Sequence, residues 1–295
     1  DVMNRLGLGY EVLAARNPKL VYVAINGFGS DGPYADLPAY DQVMQGLVGL
    51  MPVQGGDGPP QLVQGAVADK STALTALGGV LAALLARERD PEHRGQRVEV
   101  AMIDAFSAFA LPEPMMERTY PPLTNEVSTG KDFFRCWETS DGYVVGLIIQ
   151  DAQFAGLCRV ISRDDLATDD RFQSMVERFA HWLELVPLLA EEIAKIPSAL
   201  FLERARSEGA PFAPVNSLDD FLVDPQAVHR QCVVAHEDPR FGTVQYVAPP
   251  VRFERSPASI DRHAPRLGEH TDEVLLELGV TQDAIAKLKS EGAVR

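Results

Sequence analysis

"DVMNRLGLGYEVLAARNPKLVYVAINGFGSDGPY", residues 1–34, opens the chain with a pattern that decides its architecture. A helix closes near Arg16, "NPKL" turns the chain, and "LVYVAI" at 20–25 is a strand of alternating and β-branched residues. That strand runs into the glycine-rich turn "NGFGSDGP" at 26–33. Helix, turn, buried strand and glycine turn make one step of a parallel α/β sheet. With nothing ahead of it, a lone step leaves that sheet incomplete.

Working outward, residues 40–51, "YDQVMQGLVGLM", are helical in pattern, and "PVQGGDGPPQ" at 52–61 reads as an exposed loop. "GAVADKSTALTALGGVLAALLARERD" follows at 65–90. Its charge-free run, 73–86, predicts a helix buried nearly all round, yet too short to span a bilayer. Asp69 stands at its head. As a cap it would contribute about 1 kcal/mol. The cap is the commoner role of an aspartate before a helix; as an ionised carboxylate facing the positive end of the helix it would also suit a covalent nucleophile. The local sequence does not separate the two roles.

"RVEVAMIDAFSAFAL" at 97–111 is a strand leading into an apolar helix, and the proline-rich "PEPMMERTYPPLTNEVSTG" at 112–130 is a linker. Two strands around "SDG" (140–142) begin a second α/β part. Helices are expected at 151–162, at 171–194 with an interruption at Pro187, and at 198–208. "APVNSLDDFLVDPQAVHRQCVV" supplies a short strand, a capped helix and another strand, "GTVQYVAPPVRF" a last strand, and two short helices end the chain.

The chain of 295 residues, 46% of them hydrophobic, is enough for one large or two ordinary domains with a full core. A net charge of −15 excludes a general nucleic-acid or anionic-membrane surface, though not a local basic pocket for a phosphorylated ligand. Three scattered cysteines, Cys136, Cys158 and Cys232, fit free thiols in a reducing compartment. The six histidines show no ligand spacing, so no metal is expected. No signal peptide or transmembrane run is recognised, which makes the cytoplasm the expected location.

Single motifs are weak. "NGFGSDGPY" is not GxGxxG and lacks a Walker lysine. Tyr40, read alone, is a half-buried packing residue. Taken in order, however, residues 5–51, "VADKSTALTALGGVLAALLARE", "RGQRVEVAMIDA", "DPRFGTVQY" and "APRLGEHTDEVLLELG" resemble the class III CoA-transferases. That family includes formyl-CoA transferase, carnitine CoA-transferase and the α-methylacyl-CoA racemases.

The resemblance implies an α/β fold: a Rossmann-like large domain, incomplete at its N-terminus, plus a smaller α/β domain. The expected division is 1–125 for the large domain, 126–255 for linker and small domain, and 256–295 for a tail returning to the large domain. It also implies ring-shaped chains interlocked in a homodimer, with coenzyme A and acyl-CoA, together with small carboxylic acids, as substrates. Asp69 falls on the aspartate that forms an acyl anhydride and then an aspartyl-CoA thioester. Tyr40, 29 residues earlier, matches the tyrosine that formyl-CoA transferase carries before its acidic residue. The racemases place a catalytic histidine there, so an acyl-CoA:carboxylate CoA-transferase is the leading expectation. A racemase-like isomerase and a non-catalytic acyl-CoA-binding remnant are the alternatives.

Arg5 matches an arginine near the CoA phosphates, and Gly27 and Gly29 are expected to line the thioester cleft. Two departures stand out. Pro38 replaces a CoA-contacting lysine, and the glycine loop over the nucleophile is reduced to "STGKD", with Gly130 its candidate. Family members also begin with roughly a hundred further residues that build the first half of the nucleotide-binding fold.

Overall fold

A computed structural model describes residues 2–115, 119 and 134–295, grouped into two units, Asp1–Pro214 and Val215–Arg295. The first begins with α1 (Val2–Arg5), α2 (Tyr10–Arg16), β1 (Tyr22–Asn26), α3 (Asp41–Leu47) and α4 (Leu50–Gly55). The long helix α5 (Val67–Arg89), β2 (Arg97–Ala101) and α6 (Met102–Ala110) follow. β1 and β2 pair in parallel, Tyr22 opposite Arg97 through Asn26 opposite Ala101. This is the α/β step expected from the opening segment, with α5 as its crossover.

The expectations for α5 need correction twice. The helix has 23 residues, not just the charge-free run, and by length and composition alone it is long and apolar enough to cross a bilayer. Nor is it buried all round. Ala68, Ser71, Thr72, Ala76 and Ala83 form the buried face, which packs toward β2 and α6, whereas Leu74, Leu77, Leu81 and Leu85 are exposed. The exposed leucine stripe is the more hydrophobic of the two, so hydrophobicity does not choose the buried face; size does. A Cβ on Gly79 would lie 3.2 Å from Val98 Cγ1 of β2, an approach that only the small-residue face permits.

The single helix expected over 40–51 is two. Gly49, at φ +90°, breaks it in a left-handed conformation that glycine adopts without a Cβ penalty. α4 then takes in part of the expected loop, because Pro52 stands in its first turn, where its missing N–H is no loss.

Further along the chain come β3 (Cys136–Glu138), β4 (Tyr143–Gly146), α7 (Asp151–Val160), α8 (Asp164–Thr168), α9 (Met175–Ala180), α10 (Trp182–Ile193), α11 (Ser198–Ser207) and β5 (Phe212–Pro214). β3, β4 and β5 form an antiparallel sheet over a core that includes Trp137, Phe154, Leu157, Phe172, Leu185, Leu189 and Phe201. "SDG" makes the β3–β4 turn as expected, and Asp141 does more: its carboxylate accepts the Ser198 N–H at 2.8 Å and caps α11. The expected 171–194 helix breaks at His181 rather than at Pro187, which sits inside α10. The carbonyl deprived of a partner there belongs to Leu183, an exposed residue within reach of water.

The second unit comprises α12 (Leu218–Val223), α13 (Pro225–Arg230), β6 (Val233–Asp238), β7 (Gly242–Val247), α14 (Thr271–Glu277) and α15 (Gln282–Ser290). β6 and β7 form an antiparallel hairpin. Its turn, "DPRFG", is held by Asp238, whose carboxylate accepts the Arg240 backbone N–H and a two-pronged bond from its guanidinium. That guanidinium holds the Asp238 carboxyl well below the usual carboxylate range.

Candidate active site

The glycine turn is held by its own side-chain bonds. Asn26, the last residue of β1, accepts the Gly29 N–H at 2.6 Å through its side-chain oxygen and donates its amide to Glu99 of β2 at 2.9 Å. Ser30 donates to the other Glu99 oxygen at 3.0 Å, and Arg97 pairs with the same carboxylate. The Asn26 bond in the first place holds the Glu99 carboxyl below its ordinary range. Gly29 stands at φ +100°, and its N–H is spent on Asn26, so it shapes the turn rather than donating from it. The Gly27 carbonyl accepts the Ile103 N–H from the first turn of α6 at 3.0 Å.

A second segment meets this turn through a small core. Met44 of α3, Ala68 of α5, Phe106 and Ala110 are buried together, with Phe28, Ala39, Val67, Met102 and Ile103 packed against them. A Cβ on Gly27 would collide with that of Ala39, two residues before Asp41. The starts of α3 and α5 and the glycine turn therefore converge on one apolar cluster. Tyr40 caps α3 in extended backbone, with its side chain 71% exposed. Asp41 turns the other way and is buried.

The start of α5 takes its cap from another helix. Its N-cap is Ala66, which has no side-chain acceptor to offer the unpaired amides of the first turn. Asp41 supplies it: one carboxylate oxygen accepts the N–H of Ala68 at 2.7 Å and that of Asp69 at 3.0 Å. The other accepts from Gln45 at 2.6 Å. Gln45, fully buried, accepts the Val63 N–H and donates toward the carbonyls of Val63 and Gly65, which ties down the chain entering α5. Ser71 and Thr72, cap-type residues by composition, instead donate back to the Ala68 carbonyl. Asp69 is exposed, and among the described residues its carboxylate accepts no hydrogen bond and forms no ion pair.

Of the residues singled out from sequence, Asp69, Tyr40, Gly27 and Gly29 thus lie on segments sharing one core. Arg5 ends α1, exposed, and no described contact ties it to them. Gly130 lies outside the described residues. Sequence reasoning missed Asp41 and Gln45 as the capping pair. Asp41 and Gln45 stand at i and i+4 on α3 and so share one face, but Gln42 in the same helix is equally polar, so the spacing alone does not mark that face as the inward one. A cavity of about 790 Å³ in the second unit, bounded by Cys232, His236 and the 247–260 segment, contains none of the residues singled out. Among the described residues no three His, Cys, Asp or Glu side chains cluster as a metal site.

The fold is a mixed α/β one of the kind seen in a CAIB/BAIF family protein from Brucella suis. That structure matches with a TM-score of 0.72 and 30% identity, over 94% of this chain and 72% of that one. The family profile described as CoA-transferase family III covers residues 1–271, and the chain belongs to that family. The succinate–glutarate CoA-transferase of Agrobacterium fabrum is 32% identical, over 94% of this chain and 70% of its own length. A formyl-CoA:oxalate CoA-transferase from Streptomyces avermitilis is 30% identical, over 99% of this chain and 76% of its own. The chain spans between 65% and 76% of the length of these and a fungal acyl-CoA transferase.

Proposed function

We propose that this protein is an acyl-CoA:carboxylate CoA-transferase with Asp69 as its covalent nucleophile. The observation that carries the reading is the division of labour at the start of α5. Asp41 occupies the amides that an N-terminal aspartate would ordinarily cap, and the Asp69 carboxylate has no bond among the described residues.

The chemistry closes without net proton transfer. A carboxylate oxygen of Asp69 attacks the thioester carbonyl carbon; the C–S bond breaks and CoA leaves as thiolate, giving an acyl-aspartyl anhydride. The thiolate attacks the Asp69 carbonyl carbon and expels the donor acid as carboxylate, giving aspartyl-CoA. The acceptor carboxylate attacks that same carbon, CoA thiolate leaves again, and its attack on the new acyl carbon returns Asp69 to the carboxylate. Exclusion of water protects both intermediates. In this reading Tyr40, exposed beside Asp41, orients the thioester, and Gly27, Gly29 and Arg5 contact CoA.

The homodimer belongs to the same reading, as the resemblance to the family implies. The three free thiols support a cytoplasmic setting.

The test is to incubate the protein with a panel of acyl-CoAs, trap with hydroxylamine or borohydride, and read the Asp69 peptide by mass spectrometry. Modification of Asp69, lost in Asp69→Ala, is the expected result. An unmodified Asp69 in a CoA-binding preparation overturns the reading. Deuterium exchange at the α-carbon of a 2-methylacyl-CoA would then point to the isomerase.

A further inference from the structure

We propose that Asp41 is the positioning residue for Asp69: it holds the opening turn of α5 so that the carboxylate of Asp69 faces its substrate with no bond of its own to break. This rests on the reading of Asp69 as nucleophile, and goes beyond it by assigning a role to a buried pair that touches no reacting atom.

An acid at the third position of a helix ordinarily reaches back to the N-cap amide. Asp69 makes no such bond among the described residues. The N-cap is an alanine, and the amides of the second and third positions are both directed at Asp41. The acceptor comes from outside the helix, buried to 4% exposure, and its second oxygen is fixed by a glutamine that itself grips the chain at Val63 and Gly65. Asp69 is therefore anchored through its own backbone N–H, and the direction of its side chain follows from that anchor. The same dipeptide, Tyr40–Asp41, faces outward with its first residue and inward with its second, so one local backbone conformation places both Tyr40 and the Asp69 anchor.

Asp41→Asn tests the anchor almost isosterically. The asparagine oxygen would still reach the two amides, but its NH₂ would then oppose the Gln45 NH₂, donor against donor. Turning Gln45 over would surrender its bond to the Val63 N–H. The first turn must shift in either case. A displacement of about 1 Å at a reacting group costs up to about a hundredfold in rate.

The experiment measures, in the intact protein, the single-turnover rate of trapped Asp69 adduct at saturating acyl-CoA, the dissociation constant for CoA, and the melting temperature. Asp41→Asn is compared with Thr72→Val, which loses a buried hydroxyl in the same turn but leaves Asp41 untouched. The expected result is a rate loss of at least about tenfold in Asp41→Asn, with CoA affinity near wild type and Thr72→Val reacting at the wild-type rate. Adduct formation at the wild-type rate in a less stable Asp41→Asn would make Asp41 a cap alone and overturn the proposal while leaving the nucleophile intact. Equal rate losses in both variants would attribute the effect to stability and overturn it too. Absence of adduct in the wild-type protein would remove the nucleophile reading and this inference with it.

Discussion

Asp69→Ala is expected to leave the protein as stable as wild type, and Asp41→Ala to destabilise it severely, although both remove an aspartate at the start of the same helix. Among the described residues the Asp69 carboxylate has no hydrogen bond to lose on truncation. Its favourable interaction with the helix dipole, about 0.3–1 kcal/mol, is offset by the better helix propensity of alanine, about 0.5 kcal/mol. The net change is within about 0.5 kcal/mol. Truncating Asp41 leaves the amides of Ala68 and Asp69 without their acceptor in a partly buried turn and deprives Gln45 of its shortest bond. With each buried unpaired group costing about 1–3 kcal/mol, and water relieving some of it, the loss is about 2–4 kcal/mol. For a unit of this size about 2–4 °C of melting temperature accompanies each kcal/mol. Asp41→Ala should therefore melt roughly 5–15 °C lower and Asp69→Ala within about 2 °C of wild type. Differential scanning calorimetry of the three proteins under one set of conditions decides it. Equal depression by the two substitutions would refute the reasoning, because it would mean that the Asp69 carboxylate caps its own helix.

Gly27→Ala should destabilise by about 1–3 kcal/mol through collision with the Ala39 Cβ, and Gly27→Ala with Ala39→Gly should recover most of it, since the nearest remaining Ala39 atom lies at 3.6 Å; urea midpoints report both. Glu99→Gln should lose stability at neutral pH but not in acid. The Glu99 carboxyl is held below its ordinary range, so its contribution is complete above the unfolded pKa of about 4.3 and disappears as pH falls through the lower folded value; denaturation midpoints of the two proteins should converge there. Thiol labelling should find Cys136 fast, because it is exposed, and Cys158 unreactive until unfolding, because burial first, with Asp164 and Asp165 behind it, pushes its pKa up to about 12.

Much of the architecture was legible along the chain because its signals are local. The strand at 20–25, the turn after it, the "SDG" hairpin and the strand–helix step at 97–111 each follow from periodicity and turn chemistry over a few residues. The breaks at Gly49 and His181 were less so. A glycine marks close packing as readily as a break, and Pro187 signals an interruption that an exposed helix face tolerates.

Sequence by itself determined the α/β character, the existence of α5 and the family. Order and composition carry those, and no distant contact is needed to read them. Only the tertiary structure decided which stripe of α5 is buried and which residue caps the helix. Two apolar faces of one helix differ in the space they leave for a neighbouring strand, which is a property of the neighbour. The cap of α5 comes from a residue 27 positions before the first amide it accepts. Its identity depends on Met44, Ala68 and Phe106 packing together, and no local pattern around Asp69 records that.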